Sequence, residues 1–330
     1  MKRHTMLRGT ALSAATLLTV SVIAGCSSSN PSGGTGASGS GSKDVALVLG
    51  VKGSPFFEAV QCGAKAKAGQ LGLNLSVSAG DKYSPDTEIP IINAVQAAKP
   101  AVAVITATDA TALNNPINSL AKSGTKVIMF DQSISDTSNL TSQIIADNAQ
   151  GGKLAAQEMA KAIGEKGKVF TIAPPPGSAA EDARREAFSK ELKNYPKIQD
   201  LGAQYQADDP AKAAQFVTAT LAAHPDLAGV FSTGDQGVIG ALTGLRQANS
   251  IGKVQVVGYD AATAEVDALK NGEVAALIAQ NPRQFGELAM DAASKLVAGK
   301  TIPKKIESEL VVIRKGENDK ADKYEYKGNC

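Results

Sequence analysis

Polar side chains follow apolar strand segments at several points of this 330-residue sequence. Residues 126–132 read KVIMFDQ, an apolar run that stops at a carboxylate and an amide, and residues 254–260 read VQVVGYD, which stops at a second carboxylate. Polar groups at the carboxyl ends of buried parallel strands face a shared crevice, where they can bind a ligand. The candidate substrate-binding residues, including an aromatic pair after the first strand, are Ser54, Phe56, Phe57, Asp131, Gln132, Asn148, Asp182, Asp208, Asp235, Asp260 and Gln280.

The chemistry that this set favours is the binding of a polyhydroxylated ligand. Carboxylates and amides form hydrogen bonds with hydroxyl groups, and an aromatic face covers the apolar C–H side of a sugar ring. Two alternatives stay open, because an aspartate after a strand also caps the next helix and Phe56 or Phe57 could pack at a helix start.

Catalytic and metal-dependent chemistry have little support in the sequence. His4 lies in an N-terminal targeting segment and His224 precedes a proline at a turn, so neither of the two histidines is placed as a general base or a metal ligand. Nucleophile-elbow, Walker and dinucleotide-binding motifs are absent. We therefore expect no enzyme activity, no metal and no cofactor, and the formal net charge of +2 argues against nucleic-acid binding.

The elements that must position these residues alternate between strand and helix, which predicts a doubly wound parallel sheet. The pattern occurs twice: Asp109 matches Asp235 at an offset of 126 residues, and Asp131 matches Asp260 at an offset of 129. We therefore predict an α/β fold of two Rossmann-like lobes. Three connecting strands, at residues 142–148, 272–280 and 306–313, are expected to form the hinge.

The N-terminus carries the features of an export signal. A basic start and a short apolar stretch precede residues 22–26, VIAGC, which resemble the lipobox of bacterial lipoproteins. We interpret residues 1–25 as a lipoprotein signal peptide, Cys26 as the lipidated residue and the Gly/Ser-rich residues 26–42 as a flexible tether. The location is then extracytoplasmic, with the chain lipid-anchored to the cell membrane.

The two remaining cysteines are Cys62 and Cys330. An even number in an oxidising compartment favours a disulfide, against the alternative of two separate thiols.

Several motifs resemble those of the ribose-binding protein family, the type I periplasmic binding proteins that serve ABC sugar importers. In chain order they are SPFF at 54–57, FDQS at 130–133, IADN at 145–148, AHPD at 223–226, GYD at 258–260 and IAQNP at 278–282. The resemblance covers residues 43–313. It implies a first lobe of residues 43–146 plus 281–307 and a second lobe of residues 147–280 plus 308–330.

The resemblance also implies roles for single residues. Phe56 and Phe57 would stack on a sugar ring, Asp131 would bind ring hydroxyls, and Asp260 and Gln280 would close on the ligand from the second lobe and the hinge. The sequence departs from the family at five positions, which are Ser54 for asparagine, Gln132 and Asp182 for arginines, Asp208 for phenylalanine and Gly234 for asparagine. The expected pocket is acidic, which favours a neutral sugar or sugar alcohol over an anionic one.

The implied function is sugar capture by a monomer and delivery to a membrane permease whose import is driven by a separate ATPase. The alternative is a sensory receptor that presents a sugar or furanosyl signal to a membrane kinase or chemoreceptor. A sugar-responsive repressor is excluded because an export signal occupies the place of a DNA-binding helix-turn-helix.

Overall fold

The computed structural model describes residues 42–206, 209–328 and 330, so the predicted signal peptide, Cys26 and the tether up to residue 41 lie outside the described residues. The first strands and helices are β1 Asp44–Leu49, α1 Pro55–Leu71, β2 Asn74–Ala79, α2 Pro85–Ala98, β3 Val102–Ile105, α3 Asn114–Lys122, β4 Lys126–Phe130 and β5 Ser142–Ile145. They are followed by α4 Asn148–Ala162, β6 Gly167–Ala173, α5 Ala179–Leu192, β7 Ile198–Tyr205, α6 Pro210–Ala223, β8 Leu227–Ser232, α7 Asp235–Gln247, β9 Gln255–Tyr259, α8 Thr263–Lys270 and β10 Ala276–Gln280. The last elements are α9 Pro282–Val297, β11 Lys305–Glu307, β12 Leu310–Arg314 and α10 Asn318–Tyr324.

The strands form two six-stranded sheets, in the orders β11-β5-β4-β3-β1-β2 and β12-β10-β9-β8-β6-β7. The two orders correspond strand for strand, as the duplicated sequence pattern predicts. The copies differ at one edge, where β11 pairs in parallel with β5 whereas β12 pairs antiparallel with β10. The prediction of two doubly wound α/β lobes is confirmed.

Each sheet is covered by helices on both faces, and we name each lobe by its sheet. In the first lobe, Val45 and Leu47 of β1 pack towards α1 and α9, whereas Ala46 and Val48 pack towards α2 and α3. This alternation follows from the two-residue period of a strand. The second lobe repeats the arrangement, with α4 and α5 on one face of its sheet and α6, α7 and α8 on the other.

The chain crosses between the lobes three times, after β5, after β10 and between β11 and β12. The predicted crossing over residues 306–313 is confirmed, but it is not a single continuous strand. Two short strands are present instead, one in each sheet, because the chain leaves the first lobe at Ser308 and enters the second at Leu310.

Helices α1 and α9 of the first lobe pack closely through glycines. A Cβ atom on Gly63 would lie 2.1 Å from the carbonyl oxygen of Arg283, and one on Gly286 would lie 2.1 Å from that of Val60. Arg283 belongs to the first turn of α9, directly after the crossing that follows β10. The close contact therefore places the middle of α1 beside the hinge.

Cys62 of α1 and Cys330 form a disulfide with a Cα–Cα distance of 5.1 Å, as the cysteine count predicts. Over the described ranges, no helix combines the length and apolar character needed to cross a bilayer.

Candidate functional site

A cavity of about 550 Å³ lies between the carboxyl ends of the two sheets. Its volume is in the range of sites for small molecules. Most of the predicted site residues line it, namely Ser54, Phe56, Phe57, Asp131, Gln132, Asp235, Asp260 and Gln280. Residues from the two lobes therefore share one chamber.

Asp131 follows β4 of the first lobe in the left-handed backbone region, with φ of 58°. Its backbone nitrogen donates to the carbonyl oxygen of Ile144 on β5 at 2.9 Å, so the residue turns the chain away while it stays attached to the sheet. Burial raises the pKa of the Asp131 carboxyl to about 7, with a further rise from Asp260 and an opposing effect of Arg184. The carboxyl is thus poised between its neutral and ionised forms near neutral pH.

Asp260 occupies the equivalent position after β9 of the second lobe, with φ of 86°. Its nitrogen donates to the carbonyl oxygen of Ile278 on β10 at 2.9 Å. Its Oδ1 accepts hydrogen bonds from Gln280 Nε2 at 2.9 Å and from the hydroxyl of Tyr326 at 2.8 Å. Two donors therefore hold the carboxylate. The sequence analysis identified Gln280 as a site residue but not Tyr326.

The two predicted aromatic residues differ in their surroundings. Phe57 is buried in the first-lobe core and makes an edge contact with Phe130, with ring centroids 6.4 Å apart. Phe56 is half-buried, packs against the cores of both lobes and contacts Tyr326 at a centroid distance of 5.9 Å. Phe56 is consequently the aromatic face that borders both lobes, whereas much of Phe57 serves the packing of α1.

Gln132 makes hydrogen bonds across the cavity. Its Nε2 donates to Ser178 Oγ at 3.0 Å, and its Oε1 accepts from the backbone nitrogen of Ala180 at 3.1 Å. Ser178 and Ala180 lie at the start of α5 in the second lobe, so the amide joins the two lobes directly. A residue predicted to contact ligand therefore also stabilises the approach of the lobes.

Arg184 is a cavity residue that the sequence analysis missed. It is 3% exposed, and its guanidinium donates from Nε to Asn148 Oδ1 at 2.8 Å and from Nη1 to the carbonyl oxygen of Thr233 at 2.9 Å. Its Cζ lies 3.8 Å from the centroid of the Tyr259 ring, a cation–π contact. Burial opposes this charge, but the Tyr259 hydroxyl and nearby carboxylates raise the pKa of Arg184 above its ordinary value.

The charge of the lining corrects one expectation. The sequence departures predict an acidic pocket, whereas the cavity also contains Arg184 and, on exposed side chains, Lys52 and Lys82. The acidic residues in the lining are Asp131, Glu181, Asp235 and Asp260. The positive and negative charges of the described lining are thus close to balanced. Arg184 lies two positions after Asp182, the residue that was compared with a family arginine.

Three predicted site residues do not line the cavity. Asn148 lies behind it, where its Oδ1 also accepts from the Tyr259 hydroxyl at 3.3 Å, and it borders a smaller cavity of about 280 Å³. Asp182 accepts from the Gly177 nitrogen at 2.8 Å and pairs with Arg185 at 3.2 Å, so it stabilises the start of α5. Asp208 lies outside the described residues.

Further lining residues were missed, although several lie in the loops that follow β1 and β2 or beside a predicted residue. They are Val51, Lys52, Gly53, Pro55, Lys82, Tyr83, Glu181, Arg184, Gln236 and Tyr326. Glu181 and Arg184 are one turn apart on α5, a helical spacing that the sequence does show. Tyr326 has no such signal, because the C-terminal segment comes after the end of the duplicated strand-helix pattern. The described residues hold no cluster of three or more histidine, cysteine or acidic side chains arranged for a metal ion.

Comparison with known proteins gives consistent matches over nearly the whole chain. A family model described as a periplasmic binding protein domain matches residues 45–301. The ribose import binding protein of Salmonella typhimurium is 31% identical over 271 residues, which is 82% of this chain and 90% of that protein.

Solved structures with the same architecture include a solute-binding protein from Agrobacterium vitis bound with α-D-tagatopyranose. It has a TM-score of 0.82 and 33% identity, and the match covers 86% of this chain and 99% of that one. A solute-binding protein from Actinobacillus succinogenes with bound D-allose has a TM-score of 0.79 and 26% identity, over 84% and 99% of the two chains.

Proposed function

The chain belongs to the periplasmic binding protein family, and from this premise we propose that it captures a neutral sugar or sugar alcohol between its two lobes and delivers it to an ABC importer. In this proposal the protein is an extracytoplasmic lipoprotein, anchored through Cys26, that acts as a monomer. The names of the relatives support sugar import, since they bind ribose, tagatopyranose and allose.

The observation that carries the proposal is the pair of aspartates at equivalent strand ends. Asp131 from the first lobe and Asp260 from the second border the same cavity. A ligand that bridges them contacts both lobes only when the lobes are together, so binding favours the closed form. The closed form is then the state that a membrane permease would recognise.

The chemistry of the lining supports a ligand with several hydroxyl groups. Carboxylates accept hydrogen bonds from hydroxyls, and the amides of Gln132, Gln236 and Gln280 can both donate and accept. The half-buried ring of Phe56 offers a face for the C–H side of a sugar. The guanidinium of Arg184, the buried cation of the lining, already donates to Asn148 and Thr233, so the nearly balanced lining suits a neutral ligand better than a sugar acid or sugar phosphate.

A thermal-shift screen of the mature chain tests the proposal. The compounds are D-ribose, D-allose, D-arabinose, D-tagatose, D-fucose and sugar alcohols, with sugar acids and sugar phosphates as the opposing class. A ligand at about 100 times its Kd should add about 2.7 kcal/mol to the free energy of unfolding. If only the anionic compounds shift the melting temperature, the proposed ligand class is refuted.

Two substitutions assign the effect to the cavity. Asp131→Ala and Asp260→Ala should each abolish the shift caused by the neutral compound. Asp109→Ala is the matched control, because Asp109 follows β3 of the first lobe, accepts from the Thr111 and Ala112 nitrogens and lies outside the cavity lining. That variant should retain the ligand-induced shift even where the loss of these two turn hydrogen bonds lowers the starting stability.

The lipid anchor has its own test. The wild-type chain, expressed in a bacterial host, should fractionate with membranes, and the mass of its N-terminal peptide should include acyl chains on Cys26. Cys26→Ser should release the protein into the soluble fraction with its sugar binding unchanged. An unmodified Cys26 peptide from wild-type protein would refute the anchor and leave the binding function standing.

A further inference from the structure

The C-terminal segment, described at residues 325–328 and 330, is attached to both lobes. Tyr326 is 3% exposed in the second-lobe core, and its nitrogen donates to the carbonyl oxygen of Ala261 at 2.9 Å. Four residues later, Cys330 is bonded to Cys62 of the first lobe. The segment is therefore a covalent link between the lobes in addition to the three crossings of the main chain.

The second-lobe end of this segment enters the cavity. The Tyr326 hydroxyl donates to Asp260 Oδ1 at 2.8 Å and accepts from the Gln280 nitrogen at 3.1 Å. The Tyr326 hydroxyl and the Gln280 side chain, as two donors, together fix the orientation of the Asp260 carboxylate. Burial and the neighbouring Asp260 raise the pKa of Tyr326 well above its ordinary value, so the hydroxyl keeps its proton and remains a donor.

The first-lobe end of the segment lies along α1. Glu58 and Cys62 are one turn apart on this helix, and a Cβ atom on Gly328 would lie 3.1 Å from the Cβ of Glu58. Cys62 is the neighbour of Gly63, which packs against Arg283 beside the crossing that follows β10. The covalent anchor therefore sits near the hinge, where the lobes can rotate without breaking the link.

The length of the segment sets how far the lobes can separate. Four residues span at most about 14 Å when fully extended. With Cys330 Cα held 5.1 Å from Cys62 Cα, a docked Tyr326 can move only to about 19 Å from Cys62 as the lobes open. Reduction of the disulfide removes this limit while the three crossings stay intact.

We infer that the C-terminal segment is a strap that restricts the opening of the lobes, and that it holds Tyr326 in the cavity as a positioning residue for Asp260. The role of Tyr326 in binding rests on the proposed sugar-binding function, whereas the restriction of opening does not. No residue of this segment was among the predicted ligand contacts.

Small-angle X-ray scattering of the ligand-free protein tests the strap. The radius of gyration should be larger for Cys330→Ser, and for wild-type protein after reduction, than for oxidised wild-type protein. The Cys62→Ser/Cys330→Ser double variant with and without reductant is the control, and its two curves should agree. Equal radii for oxidised wild type and Cys330→Ser would overturn the strap.

Binding of the neutral sugar found in the screen tests Tyr326. Tyr326→Phe keeps the ring but loses the hydrogen bond donated to Asp260 and the one accepted from the Gln280 nitrogen, so the affinity for the sugar should fall about tenfold. The chain has six tyrosines and no tryptophan, so the ultraviolet difference spectrum on binding reports tyrosines, and its amplitude should drop in Tyr326→Phe. Unchanged affinity and spectrum would refute the positioning role, and Tyr205→Phe, which does not line the cavity, serves as control.

The outcomes separate this inference from the proposed function. If the strap holds, the affinity of Cys330→Ser for the same sugar should be about threefold weaker or more, since the binding-competent closed form is less populated. If no sugar binds wild-type protein, the sugar-binding function fails, together with the part of the inference that depends on it. The scattering comparison still decides whether the strap restricts opening.

Discussion

Replacement of Arg184 by methionine should be among the most destabilising changes to the second lobe. Methionine retains much of the length and the apolar contact of the side chain, but it removes the charge and the two donated hydrogen bonds to Asn148 and Thr233. It also removes the cation–π contact with Tyr259. The carboxyl groups of Asp131 and Asp260 then lack the cation that faces them in the cavity.

The magnitude follows from these contacts. A hydrogen bond to a charged group contributes about 1.5–3 kcal/mol, and a desolvated cation–π contact about 2 kcal/mol. The sum is reduced because methionine has no charge to desolvate, so we expect a loss of about 3–5 kcal/mol in the free energy of unfolding. The affinity for the sugar should fall as well, since the positions of the side chains that line the cavity depend on the same contacts.

The assay is urea unfolding of the ligand-free protein, with Arg185→Met as the matched control. Arg185 is the next residue of α5, and it pairs with Asp182 and Glu186 in partly exposed positions. Such pairs contribute about 0–1 kcal/mol, so the control should stay close to wild type. If Arg184→Met lies within about 1 kcal/mol of Arg185→Met, the stabilising role assigned to the buried guanidinium is refuted.

Three further predictions concern the site aspartate and the hinge helices. With the pKa of Asp131 at about 7, the affinity for the sugar should fall about tenfold from about pH 8 to pH 6, because the carboxylate that accepts hydrogen bonds from the sugar hydroxyls becomes protonated. Isothermal titration calorimetry over this pH range measures the affinity, and an affinity that does not change with pH would contradict the prediction. Ligand-free stability should change in the opposite sense, decreasing as the pH rises from about 4 to 7, because over this range the folded state binds the proton and the unfolded chain does not. Gly63→Ala should lose about 1–3 kcal/mol in denaturant unfolding because its Cβ meets Arg283, whereas Gly69→Ala on the same helix, with open space around it, should be neutral or slightly stabilising; equal effects would refute the packing argument.

Much of the fold follows from local patterns in the sequence. Strand β4 ends at Phe130, directly before the carboxylate at which the sequence predicts the apolar run to stop, and helix α6 begins at Pro210, a residue that favours a helix start. The interior of helix α4 contains Gly151 and Gly152, which disfavour a helix. The structure explains them: a Cβ atom would lie 2.4 Å from the Tyr259 hydroxyl at the first and 2.0 Å from the Arg184 carbonyl oxygen at the second.

The candidate site was predictable where a polar or aromatic residue lies near the end of a strand. Asp131 and Asp260 follow matching strands, so their meeting at one cavity could be expected from the strand order alone. Arg184 and Tyr326 depend on the rotation of a helix and on the path of the C-terminal segment, and neither is encoded in a short sequence motif. Asp182 lies at the position that the family resemblance marks as a site residue, but its side chain does not face the cavity. Its carboxylate instead accepts from the Gly177 nitrogen at the start of its own helix.

The left-handed backbone of the two cavity aspartates suggests a way to find such sites without any knowledge of ligand. Among the described residues, five non-glycine positions have positive φ. Three of them, Lys99, Glu165 and Asn249, follow helices, and a residue in this conformation commonly ends a helix. Only Asp131 and Asp260 follow strands. Glycine would relax both positions, so the chain tolerates strain in two places to keep a carboxylate there. In other chains of this architecture, a strained non-glycine residue directly after a buried strand is thus a backbone marker for the binding face.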